Sequence, residues 1–378
     1  MRFLLGGTPA RAPASSAGIN AGARETEQSR ARAARCLRAG LLAISLTPLA
    51  AQAPAPTPRA FSPRGTCAGS GTVRWQPLAP PTDRDVLDRW CDSVGPPFTA
   101  HRGTPPAAVE TLVIATWNVH AGNGDVEAFL ASVARLSEVR APYGVLLLLQ
   151  EVVRASIEVP EAYPARMRPP GAIRAPRTRQ DIGALAERLG MHTAYVPSMR
   201  NGRLFQSDAR EDRGSAILSA FPLDDVRALE LPFGQQRHVA VAARVAVPGL
   251  PPLRVVSVHL DPSGHRTAEA VALAAHVRTL PTSEALVIGG DLNTWFGRRE
   301  EALTALSAAA PEEDCGRVKT NTWPWRMQGP FGWWRGRLDY LFSRLPEGLR
   351  RSCQTLPQQF GSDHRPVVLV IPVRAGAD

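Results

Sequence analysis

The chain has 378 residues, 44% of them hydrophobic, which is enough for one large α/β domain or two small ones. Its formal charge of +10 does not by itself identify a nucleic-acid partner, because residues 1–53 hold seven Arg and two Glu and so account for half of it. Lys319 is the only lysine among 44 basic residues, and no solenoid-length repeat is present.

Residues 1–53 read as an export signal with an extended leader. Arg30, Arg32, Arg35 and Arg38 precede an apolar stretch from Ala39 to Ala50, and Ala51-Gln52-Ala53 offers the small-x-small pattern of a cleavage site. That stretch is too short to span a bilayer comfortably. Cys36 precedes it, which disfavours a lipid-anchored start. The expected location is therefore secreted or periplasmic, with the signal ending near Ala53. Cleavage leaves Cys67, Cys91, Cys315 and Cys353, an even number compatible with two disulfides in an oxidising compartment. Cys67–Cys91 and Cys315–Cys353 are the expected pairs. Three pairings are open, and four buried thiols are the alternative.

Residues 54–108 form a Pro-rich extension with one short helix expected over Asp83–Trp90. A larger domain follows over 109–374. Apolar runs predict strands at 111–118 and 145–150 around a helix over Asp125–Arg140, whose Val126, Phe129, Leu130, Val133 and Leu136 recur at helical spacing. A second helix is expected over Arg179–Leu189, then strands at 192–197, 214–219, 237–247, 253–260 and 285–290. Thr322–Arg335 holds half of the eight tryptophans. Such a segment could stack nucleobases, enter a lipid interface or pack beside a site.

The strand ends carry the chemistry. The run at 113–117 ends in Asn118, that at 145–149 in Gln150-Glu151, and that at 254–258 in His259. Ala285–Ile288 leads through Gly289-Gly290 to Asp291-Leu292-Asn293. Leu338 leads into Asp339, and Gly361-Ser362-Asp363-His364 precedes the apolar run at 366–371. Strand ends are where α/β sheets place ligands. Carboxylate with carboxamide suits a hard divalent ion, and Asp-His supplies a group that titrates near neutrality. Together they point to metal-assisted attack of water on a phosphate ester. Either string alone would read equally well as a helix-capping turn or a polar loop.

The ordered series Thr116-Trp-Asn-Val119, Leu149-Gln-Glu151, Arg213–Ser219, Ser257-Val-His-Leu-Asp261, Gly290-Asp-Leu-Asn293, Leu338–Phe342 and Ser362-Asp-His364 resembles the endonuclease/exonuclease/phosphatase superfamily. The resemblance covers residues 110–372. It implies an α/β fold, a four-layered sandwich of two stacked, mixed and mainly antiparallel sheets flanked by helices. It also implies a Mg²⁺ cofactor, with Mn²⁺ or Ca²⁺ as alternatives.

In that setting Glu151 is expected to bind the metal, with Asn118 placing its amide oxygen on the ion or on a phosphate. Asp291 and Asn293, two apart on one face, would hold the attacking water and bind phosphate or a second ion. His364 would activate water or stabilise the pentacovalent state, and Asp339 would orient it. Asp363 would join the metal shell or tune its charge. His259 matches a histidine of deoxyribonuclease- and sphingomyelinase-like members that contacts the phosphate or protonates the leaving oxygen. Arg237 is expected to clamp the phosphate, while His120, His238 and His265 are read as turn or surface residues. AP-endonuclease-like DNA repair is disfavoured by Val152-Val153 and His120-Ala121-Gly122. A monomeric nuclease is favoured over a phospholipid headgroup hydrolase, with a phosphomonoesterase third and a non-catalytic binding protein as the alternative from another class. No protein partner is implied.

Overall fold

The strands beside the site are buried on both faces, and this organises the molecule. A computed structural model describes residues 67, 71–161, 179–200, 210–313, 322–329 and 332–373. The export signal and Cys315 lie outside them, as do the side chains of Trp325, Trp333 and Trp334. In chain order the elements are β1 (Arg74–Pro77), α1 (Arg84–Cys91), β2 (Phe98–Ala100), β3 (Thr111–Asn118), α2 (Val126–Val133), β4 (Tyr143–Ala155) and α3 (Ile182–Leu189). They continue with β5 (His192–Arg200), β6 (Glu211–Ser219), β7 (Leu223–Glu230), β8 (Val239–Val245), β9 (Leu253–His259), α4 (Arg266–Arg278), β10 (Ala285–Asp291) and α5 (Glu301–Ala309). The last are β11 (Glu312–Glu313), β12 (Trp323–Gly329), β13 (Gly332–Gly336), β14 (Asp339–Arg344), β15 (Ser352–Thr355) and β16 (Val367–Pro372).

Two seven-stranded sheets form, in the orders β1-β7-β8-β9-β10-β14-β11 and β15-β16-β3-β4-β6-β5-β2, and β12-β13 is a separate hairpin. Strand alternation sends Leu112, Ile114, Leu146 and Leu148 towards Val241, Val255, Val287 and Leu341 of the other sheet. Val113, Ala115, Trp117 and Leu147 face outward onto Phe129 of α2 and Leu185 of α3. Val256, Val258, Leu286 and Ile288 meet Leu273 of α4 and Leu306 of α5 in the same way. The result is helix, sheet, sheet, helix: the four layers expected. Each fully buried Leu, Ile or Val contributes about 1.5–3 kcal/mol, which explains why these strands read as unbroken apolar runs.

Both sheets mix parallel and antiparallel pairs. β3-β4, β9-β10 and β1-β7 are parallel, and the other pairs are antiparallel. The segment read as an extension is built into both sheets, because β1 pairs with β7 and β2 with β5. A Cys67–Cys91 disulfide anchors α1 there, and Cys353 is also disulfide-bonded. Asp125 caps α2 by accepting the Ala128 N–H at 2.9 Å. That helix ends at Val133 and not at Arg140, continuing only as single turns that link Leu136 to Val133 and Val139 to Leu136.

Candidate active site

Sheet register assembles the site. His259 at the end of β9 pairs with Asp291 at the end of β10, and Asp291 pairs with Asp339 at the start of β14. Three chemically active side chains therefore stand in a row on adjacent strands. Gly290 permits this approach, because a Cβ there would lie 1.9 Å from the Val258 carbonyl oxygen. The other sheet supplies Asn118 from β3 and Glu151 from β4. Glu151 sits at a bulge between Leu149 and Val152 with φ of +55°, which turns its carboxylate out of the ladder. Asn293 also adopts positive φ, +51°.

Asp291 Oδ2 is the point of convergence. Asn118 Nδ2 donates to it at 3.0 Å, and His364 Nε2 and His259 Nε2 each lie 3.6 Å away. Asp291 Oδ1 accepts the Asn293 backbone N–H at 3.0 Å. His364 Nδ1 is 2.8 Å from Asp339 Oδ2, which fixes the ring with Nε2 towards Asp291. Three further bonds fix the loop that carries His364. The Ser362 hydroxyl donates to the Asn118 carbonyl at 2.6 Å and accepts the His364 N–H, and Trp117 Nε1 donates to the His364 carbonyl.

Glu151 accepts from Asn118 Nδ2 at 3.3 Å and from the Ala121 N–H at 3.2 Å, and Arg213 Nη1 lies 3.8 Å away. Asn118, Glu151, His259, Asp291, Asn293 and His364 line one cleft of about 240 Å³.

The charges are tuned by burial and by one another. Burial raises the Asp291 pKa, and neighbouring Asp339 adds to the shift. Burial opposes charge on His364, but Asp339 and Asp291 outweigh it and raise its pKa. His259 moves the other way, to about 3, through burial and the nearby charges of His238 and Arg213. Burial also works against the Glu151 carboxylate, yet Arg213 and then His259 hold its pKa below the usual value.

The structure gives these side chains protein partners. Asn118 Oδ1 accepts the His120 N–H at 2.9 Å, and Nδ2 faces the carboxylates of Glu151 and Asp291. Asn293 Nδ2 donates to the Leu260 carbonyl at 2.8 Å and ties together the ends of β9 and β10. Asp363 lies at the rim, 3.0 Å from His120 Nδ1 and 4.0 Å from His364 Nε2.

Arg237 is not a phosphate clamp. It is wholly buried, gripped by Glu230 at 2.8 and 2.9 Å, and it donates to the Pro197 and Ser198 carbonyls. Arg213, the first residue of the Arg213–Ser219 segment, lines the cleft instead, and the sequence alone marks no role for it. His238 is neither a turn nor a surface residue; it is buried and lines the cleft.

A divalent ion fits this donor set. Glu151 Oε1 and Asp291 Oδ2 share the Asn118 amide, so two hard oxygen donors face one space, and burial has raised the pKa of the second.

A family model described as the Endonuclease/Exonuclease/phosphatase family matches residues 115–364. No curated protein matches the chain. An endonuclease/exonuclease/phosphatase from Beutenbergia cavernae DSM 12333 is similar in structure, with 19% identity, 70% of this chain and 72% of that chain covered, and a TM-score of 0.49. A family protein from Leptotrichia buccalis C-1013-b has 15% identity, covers 69% and 99% of the two chains, and scores 0.46. The human Nocturnin catalytic domain with bound sulfate anion has 15% identity, covers 73% and 97%, and scores 0.45. By its family-model match from 115 to 364, the chain belongs to the Endonuclease/Exonuclease/phosphatase family.

Proposed function

We propose that the chain is a metal-dependent phosphodiesterase acting on nucleic acid. The observation that carries this reading is the convergence of His364, His259 and Asn118 on Asp291 Oδ2, with Asp339 behind His364. Glu151 and Asp291 would hold the divalent ion, which when bound supplies positive charge against the phosphate oxygens. Asp291 and His364 both face the position from which water attacks phosphorus. The new P–O bond forms as the ester P–O bond breaks; Asp291 takes the water proton, and the leaving oxygen regains one from solvent. His364, oriented by Asp339, donates a hydrogen bond to the phosphoryl oxygen as charge grows there. His259, whose Nε2 also lies beside Asp291, holds a remaining oxygen.

Support for nucleic acid comes from the cleft wall, where Trp295 and Trp323 stand edge to face at 5.3 Å and offer a ring face to a base. A phospholipid substrate is the second reading, favoured by Phe296, which is 69% exposed beside Trp295. Nicking of plasmid DNA should appear with Mg²⁺ or Mn²⁺ and vanish with EDTA, with sphingomyelin vesicles assayed in parallel. Vesicle hydrolysis without nicking would favour the second reading. Silence on both substrates would remove the first and the second together.

Export is part of the same proposal. The Cys67–Cys91 disulfide supports passage through an oxidising compartment. Intact mass of the chain recovered outside the cytoplasm should correspond to a start just after Ala53. A recovered mass that retains the leader would oppose it.

A further inference from the structure

His238 immediately precedes β8 and is 3% exposed, yet it lines the cleft. Its Nδ1 lies 2.8 Å from Glu269 Oε1, and Nε2 has no hydrogen-bond partner among the described residues. Glu269 projects from α4 and is wholly buried, on the face that also packs Leu273 and Val277. Its other oxygen accepts the Asp261 N–H at 2.6 Å. Asp261 in turn accepts the N–H groups of Ser263 at 2.6 Å and Gln235 at 3.2 Å. Every oxygen of these two carboxylates already faces a hydrogen-bond donor or the imidazole, so the cluster reads as a bracket for His238 and not as a metal cage.

A buried ion pair of this kind seldom adds net stability, because removing two charges from water cancels most of their attraction. Its presence in a helix face otherwise suited to apolar packing therefore calls for another purpose. Burial opposes charge on His238, but Glu269 outweighs it and keeps the pKa above the ordinary histidine value. The bracket thus favours positive charge on an imidazole that lines the cleft. Arg213 on β6 adds a second: Nη1 makes no hydrogen bond and lies 3.8 Å from Glu151.

Position determines what these cations would meet. The His259 ring is 3.6 Å from Asp291 through Nε2, and the His238 ring lies beyond it at 5.6 Å between centroids. His259 thus stands between His238 and Asp291, and all three line the cleft.

We propose that His238, bracketed by Glu269, forms with Arg213 a second anion subsite that takes the phosphate next to the scissile one. The chain would then select polyanionic strands over esters with a single phosphate. This assignment rests on the phosphodiesterase reading, so its test avoids turnover. The full chain, stripped of metal on a chelating resin, is titrated calorimetrically with thymidine 3′,5′-bisphosphate and, separately, with thymidine 5′-monophosphate.

The bisphosphate should bind about tenfold more tightly, the size expected for one added charge-assisted contact. The double variant His238→Gln/Glu269→Gln removes one charge of each sign and leaves the net charge unchanged. It also avoids stranding a buried carboxylate, so folding failure of the single His238→Gln variant does not decide the matter. In the double variant the two probes should bind within about twofold of each other. Equal affinities in the wild type, or a preference that survives the double substitution, would overturn the proposal. A chain that bound as expected but failed to cleave DNA would sink only the catalytic reading.

Discussion

Asp291→Asn is expected to lower kcat on a phosphodiester by about 10³-fold while the protein stays folded. The substitution is nearly isosteric, and Oδ1 can still accept the Asn293 N–H. The other position becomes an NH₂ that faces Asn118 Nδ2, His259 Nε2 and His364 Nε2, so a donor replaces the acceptor on which three groups converge. It can neither take a proton from water nor share an ion with Glu151. General acid–base catalysis is worth about 10²–10⁴-fold and one oriented charge-stabilising group about 10²–10³-fold, which sets the size of the loss.

The stability cost should depend on pH. Burial raises the Asp291 pKa in the folded chain, so folding favours the protonated acid. That contribution is present below the ordinary carboxylate value and is lost as pH rises through the raised one. Asparagine has no such titration. The urea midpoint of the variant should therefore fall less far below that of the wild type at pH 8 than at pH 5. Retention of activity within tenfold, or a variant that unfolds, would defeat this account.

Much of this site was legible because the strands that carry it are buried on both faces. β3, β4, β9 and β10 read as largely apolar runs, and each ends in acid, amide or imidazole side chains. Asn118, Glu151, His259 and Asp291 were found in that way. What joins them was not legible. The alignment of His259, Asp291 and Asp339 is a matter of register among three strands far apart in the chain.

Elements without a clean period also escaped. β7 is broken by a bulge between Asp224 and Arg227, and α4 buries Glu269 and His276 beside its apolar residues. β1 and β2 are short edge strands whose pairing depends on distant partners. The sequence points to Arg237 as the phosphate clamp, in a strand-like run where neighbouring side chains point to opposite sides. Arg237 turned into the fold, and His238 turned to the cleft.

That single-residue offset has a measurable consequence. Arg237→Met should cost about 3–5 kcal/mol, the usual penalty for removing one partner of a buried ion pair, because Glu230 is left charged and enclosed. Arg237 also bridges the sheets: its Nη1 donates to the Pro197 and Ser198 carbonyls at 3.1 and 3.0 Å at the end of β5, while Glu230 belongs to β7. Nη2 lies 3.2 Å from Cys67 Sγ, and the guanidinium stacks 5.2 Å from the Trp75 ring centre. The double variant Arg237→Met/Glu230→Met should recover most of the loss, since no charge is then stranded. Recovery should be incomplete, because two carbonyls still lack their donor, at about 1–3 kcal/mol for each one left unsatisfied. Urea unfolding of the three proteins measures these differences directly. A phosphate clamp would give the opposite pattern, a raised KM at unchanged stability. With no exposed surface on Arg237 for a phosphate to reach, the loss should appear in the unfolding curve and not in the KM of the folded fraction.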